Sequence, residues 1–157
     1  MRRTLSPREL AALQTLTEVD GFRASVRAIV SEMDARCATS DYHVQVVYGA
    51  RTAEEQDRLF AQGRTAPGPR VTNARGGQSA HCYAAAADVA LVRDDGKGWL
   101  SGDHPAWLDL AELLRAQGLI TGSDFSSFKD RAHMEMRGWI ERARQGALAL
   151  YHGRVSG

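Results

Sequence analysis

Apolar residues recur at helical spacing near the start of the chain, where Leu10, Leu13 and Leu16 with Ala11 form one stripe. Ser6-Pro7-Arg8-Glu9 precedes that stripe as a capping box with proline at the first helical position, so a helix is expected from residue 6 to about 17. Asp20-Gly21 interrupts the pattern and is expected to cap a second helix. Phe22, Val26, Ile29, Val30 and Met33 carry it to about residue 36. The pattern then changes: Tyr42–Tyr48 is β-branched and aromatic and predicts a strand ended by Gly49. Thr52-Ala53-Glu54-Glu55 is a second capping box, opening a helix through about Gln62 with Gly63 as its stop.

From Gly63 to Gln78 the periodicity disappears into Gly, Pro, Arg, Thr and Asn. A loop this long in a compact domain is usually functional or disordered, and this one runs straight into a histidine. Small and then branched apolar residues from Ala84 to Val92 predict a buried strand, closed by a turn at Asp94-Asp95-Gly96-Lys97. A third long helix is expected from an Asp103 cap to Gly118, with Trp107, Leu110 and Leu114 on its core face. Leu119 to Phe128 reads as a connection, His133–Met136 as a short strand, and Trp139 to about Tyr151 as a final helix. His43 and His104 are expected as partly exposed surface residues.

A chain of 157 residues is expected to form one domain, residues 1–157, with a sizeable core. Its 20 basic and 19 acidic residues leave a net charge of +1, which argues against a nucleic-acid partner. Met1-Arg2-Arg3 has no apolar stretch behind it, and no run approaches the ~18 residues of a membrane span. The expectation is synthesis in the cytoplasm without a signal peptide or membrane anchor. Cys37 and Cys82 are expected as free thiols.

The candidate chemistry lies in Ser79–Asp88 and Asp130–His133. Hydrolytic zinc sites use three protein ligands and keep a position for water, with a nearby carboxylate to move protons. His81, Asp88 and His133 are the candidate ligands. Seven extended residues would separate His81 from Asp88 by over ~20 Å and put them on opposite faces. A helix would align them but leave their backbones ~10 Å apart. The chain is therefore expected to fold back just before the alanine run. Asp130, three residues before His133, suits either a fourth ligand or the base. The base is preferred, because four protein ligands would close the site to water. From spacing alone, the same residues could be unrelated surface and cap positions.

Ser79-x-His81-x-x-Ala84-x-Ala86-x-Asp88 resembles the Ser-x-His-x-x-Gly-x-Ala-x-Asp signature of the zinc D-Ala-D-Ala carboxypeptidase and L-alanyl-D-glutamate endopeptidase family, within the wider lysostaphin–hedgehog group. Asp130-Arg131-Ala132-His133-Met134-Glu135 resembles its second motif. Tyr48-Gly49-Ala50-Arg51-Thr52 and the run from Glu55 to Thr65 are similar to its phage endolysin branch. The resemblance implies an α+β fold with a small antiparallel sheet carrying the zinc site and helices outside it. It implies Zn2+ on His81, Asp88 and His133, Asp130 as acid/base, and Arg51 facing the substrate. Gln56 and Ser79 are expected to bond the stem peptide. The implied substrate is bacterial peptidoglycan, cut between L-Ala and D-Glu by a monomeric endolysin without a wall-binding domain, acting after release from the cytoplasm. A D,D-carboxypeptidase or dipeptidase of the same family, a cysteine hydrolase using Cys82 and a non-catalytic wall-binding zinc module are the competing readings. Ala84 stands where the family has Gly, and a left-handed backbone there would cost roughly 1 kcal/mol.

Overall fold

Four antiparallel strands form one sheet in the order β1-β2-β4-β3: β1 is Tyr42–Tyr48, β2 is Ala86–Arg93, β3 is Ile120–Thr121 and β4 is His133–Glu135. The computed structural model describes residues 3–153. Five α-helices accompany the sheet: α1 Pro7–Gln14, α2 Phe22–Cys37, α3 Ala53–Ala61, α4 Ala106–Ala116 and α5 Trp139–Arg144. The architecture is α+β, as expected.

Strand register assigns the two faces. Val44 pairs with Leu91, Val46 with Val89 and Ala87 with Met134, so these six share one face. All are fully buried, in one core with Phe22, Val26, Ile29 and Met33 of α2 and Leu110 and Leu114 of α4. At ~25 cal/mol per Å2 of apolar area, each of the Val, Leu, Ile, Phe and Met side chains contributes on the order of 2 kcal/mol. The opposite face carries Asp88, His133 and Glu135. Asp88 is the register partner of Tyr48 on one side and His133 on the other. A register shift between Val46 and Tyr48 makes Tyr48, rather than Val47, the partner of Asp88.

Several boundaries move. The first helix ends at Gln14 rather than 17, because the Thr15 hydroxyl turns back to Ala12 O at 2.6 Å and takes Ala50 N at 2.7 Å. Asp20 gives α2 no side-chain cap; Asp20 and Gly21 both take left-handed backbone and swing the chain into the helix. The Asp103 carboxylate is engaged by the Ser101 hydroxyl, and the His104 ring accepts the Ala106 amide at 3.2 Å in front of α4. The last helix stops at Arg144, just before Gly146 at φ 74°. Beyond it, the Tyr151 amide donates to Cys82 O at 2.7 Å. The connection after α4 contains β3, whose two residues are too few to show alternation. His43 is partly exposed and bonds Asp94 at 2.7 Å. Cys37 and Cys82 are buried and unpaired. No helix among the described residues is long and apolar enough to cross a membrane.

Candidate active site

The chain folds back between His81 and Asp88 by a 3₁₀ turn over Ala80–Tyr83, followed by Ala84 at φ 54°, ψ 26°. Ser79 caps this turn, its hydroxyl accepting the His81 amide at 3.4 Å. The turn brings His81 Nε2 to 3.3 Å from Asp88 Oδ1. From the neighbouring strand, His133 Nδ1 reaches the same oxygen at 3.2 Å. One ligand atom from each of His81, Asp88 and His133 fits within 4.8 Å of the others. A tetrahedral ion with bonds of ~2.0–2.1 Å sets its ligand atoms ~3.3 Å apart, which the two distances to Asp88 Oδ1 match.

The second nitrogen of each imidazole is already engaged. His81 Nδ1 meets Gly49 O at 2.7 Å. A carbonyl only accepts, so Nδ1 carries a proton and Nε2 is the nitrogen left to face a metal. His133 Nε2 meets Glu135 Oε2 at 3.0 Å, which protonates that nitrogen and leaves Nδ1 as the donor to a metal. Glu135 is fixed in turn by Trp139 Nε1, donating at 3.2 Å. Such outer partners orient metal-binding histidines and raise their basicity.

Charge balance points the same way. Burial raises the Asp88 carboxyl, but the His81 charge and the His133 hydrogen bond outweigh it and hold the group well below the usual carboxylate range. Burial lowers His133, yet the Asp88 and Glu135 carboxylates push it up to about 9. The cluster thus holds positive charge strongly, and a divalent cation takes the place of those protons when it binds.

Asp130 lies outside the ligand triplet but lines the same groove. Its carbonyl accepts the His133 amide at 3.1 Å, closing the tight turn expected from their spacing. Burial, reinforced by the Asp88 charge, pushes the Asp130 carboxyl above its ordinary value. A bound cation acts in the opposite direction. Gly122 supports this turn from below: a Cβ there would lie 2.2 Å from Asp130 O and 3.0 Å from the His133 Cβ.

The groove has a volume of about 1040 Å3. Arg51 forms part of its other wall, next to the Tyr48 ring at 5.6 Å. The Arg51 amide donates to His81 O at 3.0 Å, and its Nη1 donates to Gln56 Oε1 at 2.9 Å. Gln56 lines the groove with 1% of its surface exposed, and its amide bonds protein groups on both sides. Glu135 and Gly49 stand in the resembled motifs, but their roles as histidine partners are not assigned there. Period-two alternation in His133-Met134-Glu135 contains the signal for Glu135, since residues two apart share a strand face. Gly49 acts through a carbonyl, which no side-chain pattern reports.

Two histidines and one aspartate around a cation-sized gap, with a free acid beside them, define a metallopeptidase-type site. The sequence profile of a family described as D-alanyl-D-alanine carboxypeptidase matches residues 72–136, a span that holds His81, Asp88, Asp130 and His133. Over 133 residues the chain is 35% identical to the peptidoglycan L-alanyl-D-glutamate endopeptidase CwlK of Bacillus subtilis (strain 168), covering 80% of this chain and 79% of that one. The chain belongs to this peptidase family. Its fold also matches the crystal structure of the L-Ala D-Glu endopeptidase ChiX of Serratia marcescens, with a TM-score of 0.51 and 20% identity over 84% of this chain and 88% of that one.

Proposed function

We propose that this chain is a zinc-dependent peptidoglycan endopeptidase that hydrolyses the L-alanyl-D-glutamate bond of the stem peptide. The observation that carries the reading is the convergence of His81 and His133 on one oxygen of Asp88 in an open groove, with Asp130 left uncoordinated beside them. The names of the two endopeptidase relatives support the choice of bond.

His81 Nε2, Asp88 and His133 Nδ1 would hold the ion. When bound, zinc supplies Lewis acidity, polarising the scissile carbonyl and acidifying a water. Asp130 accepts a proton from the attacking water and delivers it to the departing amine of D-Glu. Arg51 carries a permanent charge toward the groove, suited to the carbonyl oxygen as it gains negative charge or to a stem-peptide carboxylate. Ser79 holds the turn that presents His81.

The family description favours a second reading, a carboxypeptidase that trims terminal D-Ala. Digestion of purified muropeptides separates the two. The expected products are a peptide with a new D-Glu amine and a fragment ending in L-Ala; release of free D-Ala alone overturns the endopeptidase assignment. A chelator should abolish activity and added zinc restore it, whereas a Cys82-dependent hydrolase would survive chelation.

The likeness of Tyr48–Thr65 to endolysins supports a lytic role. In this proposal a monomeric catalytic domain is made in the cytoplasm of a phage-infected cell and reaches the wall once the inner membrane is breached. Purified protein should then clear a suspension of outer-membrane-permeabilised Gram-negative cells. A suspension that keeps its turbidity while its muropeptides are cut would refute lysis and leave the peptidase standing.

A further inference from the structure

We infer that Gln56 is a positioning residue that fixes the Arg51 guanidinium and the loop wall of the groove as one unit. Gln56 sits on α3, one turn from its start, with 1% of its surface exposed. Its Oε1 accepts from Arg51 Nη1 at 2.9 Å, and its Nε2 donates to Ala74 O at 2.8 Å and to Thr72 Oγ1 at 3.3 Å. A guanidinium only donates, so the amide cannot flip without setting NH2 against N–H. Both amide protons are used and the oxygen accepts from Arg51, so the orientation of the side chain is set by the protein itself.

The loop between residues 63 and 78 has other ties to α3. The Gly76 amide donates to Asp57 Oδ1 at 2.7 Å, and Arg64 Nη1 donates to Thr72 O at 3.1 Å. The Phe60 ring receives the guanidinium groups of Arg64 and Arg75 at 3.9 and 4.7 Å. A Cβ on Gly76 would lie 2.6 Å from Ala53 O, so the loop backbone runs hard against the helix. Among these ties, Gln56 is the one that directly holds a charged side chain of the groove. The 2.9 Å bond sets where the Arg51 charge points, and the two donor bonds set where Thr72 and Ala74 stand across from the metal ligands. Groove width and Arg51 aim therefore change together.

Two substitutions separate the halves of this role. Gln56→Glu keeps an acceptor for Arg51 but loses the donor to Ala74 and Thr72. Gln56→Met loses both. Kinetics are read on whichever stem-peptide bond the wild-type enzyme cuts, since this part rests on the peptidase reading. Gln56→Glu should raise KM with kcat little changed, and Gln56→Met should also lower kcat by about tenfold or more. In an Arg51→Met background, Gln56→Met should lower kcat no further. Equal kcat losses from both Gln56 variants, or full additivity with Arg51→Met, would assign Gln56 a purely structural part and overturn the inference.

A second readout needs neither substrate nor a Gln56 variant that folds. Arg51→Met removes a bond at the groove surface, yet amide hydrogen exchange at residues 72–76 should speed up, although Arg51 makes no hydrogen bond to that loop. Unchanged exchange there overturns the coupling. If exchange responds and no L-Ala–D-Glu cleavage is found, the function reading fails and the positioning role stands.

Discussion

The two walls of the groove are built on different physics. The metal wall is a pair of strand neighbours, Asp88 and His133, whose spacing follows from register, with Ala86, Ala87 and Met134 fully buried around them. Its geometry is inherited from the core. The Arg51 wall comprises residues 49–56 and the loop from 63 to 78, which has no helix or strand and is held mostly by side-chain hydrogen bonds. His81 joins the two, through its ring to Gly49 O and through its carbonyl to the Arg51 amide. Packing fixes where a metal can sit, whereas polar bonds fix what faces it. Damage to the first wall should therefore appear as lost metal, and damage to the second as altered turnover with metal retained.

Asp130 gives the sharpest test of that division, because it lies beside the metal wall without belonging to the ligand triplet. Asp130→Asn keeps the shape and removes the proton acceptor. Zinc content should stay at one per chain while kcat falls by roughly 10²–10⁴. Loss of zinc alongside activity would make Asp130 a ligand and contradict its assignment as the base.

The next effect concerns the support of β1, which carries Gly49 and Arg51 at its end. Glu9 is fully buried, pairs with both Nη atoms of Arg3 at 2.8 Å and accepts the Val46 amide at 3.3 Å. Burial alone would raise its pKa, but the Arg3 and Ser6 hydrogen bonds bring it down to about 2. A depressed carboxyl stabilises the fold above its unfolded pKa near 4.5 and loses that contribution as pH falls toward 2. The amount at stake is about 3 kcal/mol. Thermal melts from pH 7 down to 2.5 should therefore fall more steeply for wild type than for Glu9→Gln. Parallel curves would show that the pair is not what acid breaks.

Glu135→Gln tests the metal wall from behind. The amide can still face His133, but it no longer demands a proton on Nε2. Zinc affinity should drop by ~10–100-fold, as for other groups that orient a ligand histidine. Competition with a chromophoric chelator measures this without substrate. An unchanged affinity together with a lower kcat would move Glu135 out of the ligand support and into the groove chemistry.

The metal wall was largely legible in the sequence, and the other wall was not. His81 and Asp88 could share an ion only if the chain folded back between them, and that constraint located the turn before the alanine run. The acid-x-x-His spacing likewise foretold the turn that carries Asp130 and His133. Both inferences rest on short-range chain geometry, which sequence spacing encodes. The ties of Gln56 to Thr72 and Ala74 are not legible in the sequence, because these partners are 16 and 18 residues away across an unpatterned loop. Gly49 is legible as a strand end but not as a histidine partner, because it works through its carbonyl and through having no side chain: a Cβ there would lie 2.2 Å from Thr15 Oγ1.

Ala84 is the smallest perturbation and links the two kinds of reading. Its φ of 54° confirms that the position where the resembled family carries Gly needs a left-handed backbone. Four backbone bonds hold it there: its amide to the Ala80 and His81 carbonyls, the Ala85 amide to Ala80 O at 3.0 Å, and the Thr17 amide to its own carbonyl at 3.1 Å. The methyl group costs ~1–2 kcal/mol in that conformation. Glycine removes the strain but gives up ~0.4–1 kcal/mol to its freer unfolded chain. Ala84→Gly should therefore stabilise the protein by about 0.5–1 kcal/mol, a rise of a few degrees in Tm. Zinc affinity should not move, because the hydrogen bonds that set the turn are backbone bonds and survive the change. A weaker zinc site in Ala84→Gly would mean that the methyl group, and not the backbone alone, holds His81 against Asp88, and that packing governs the turn as well as the strands.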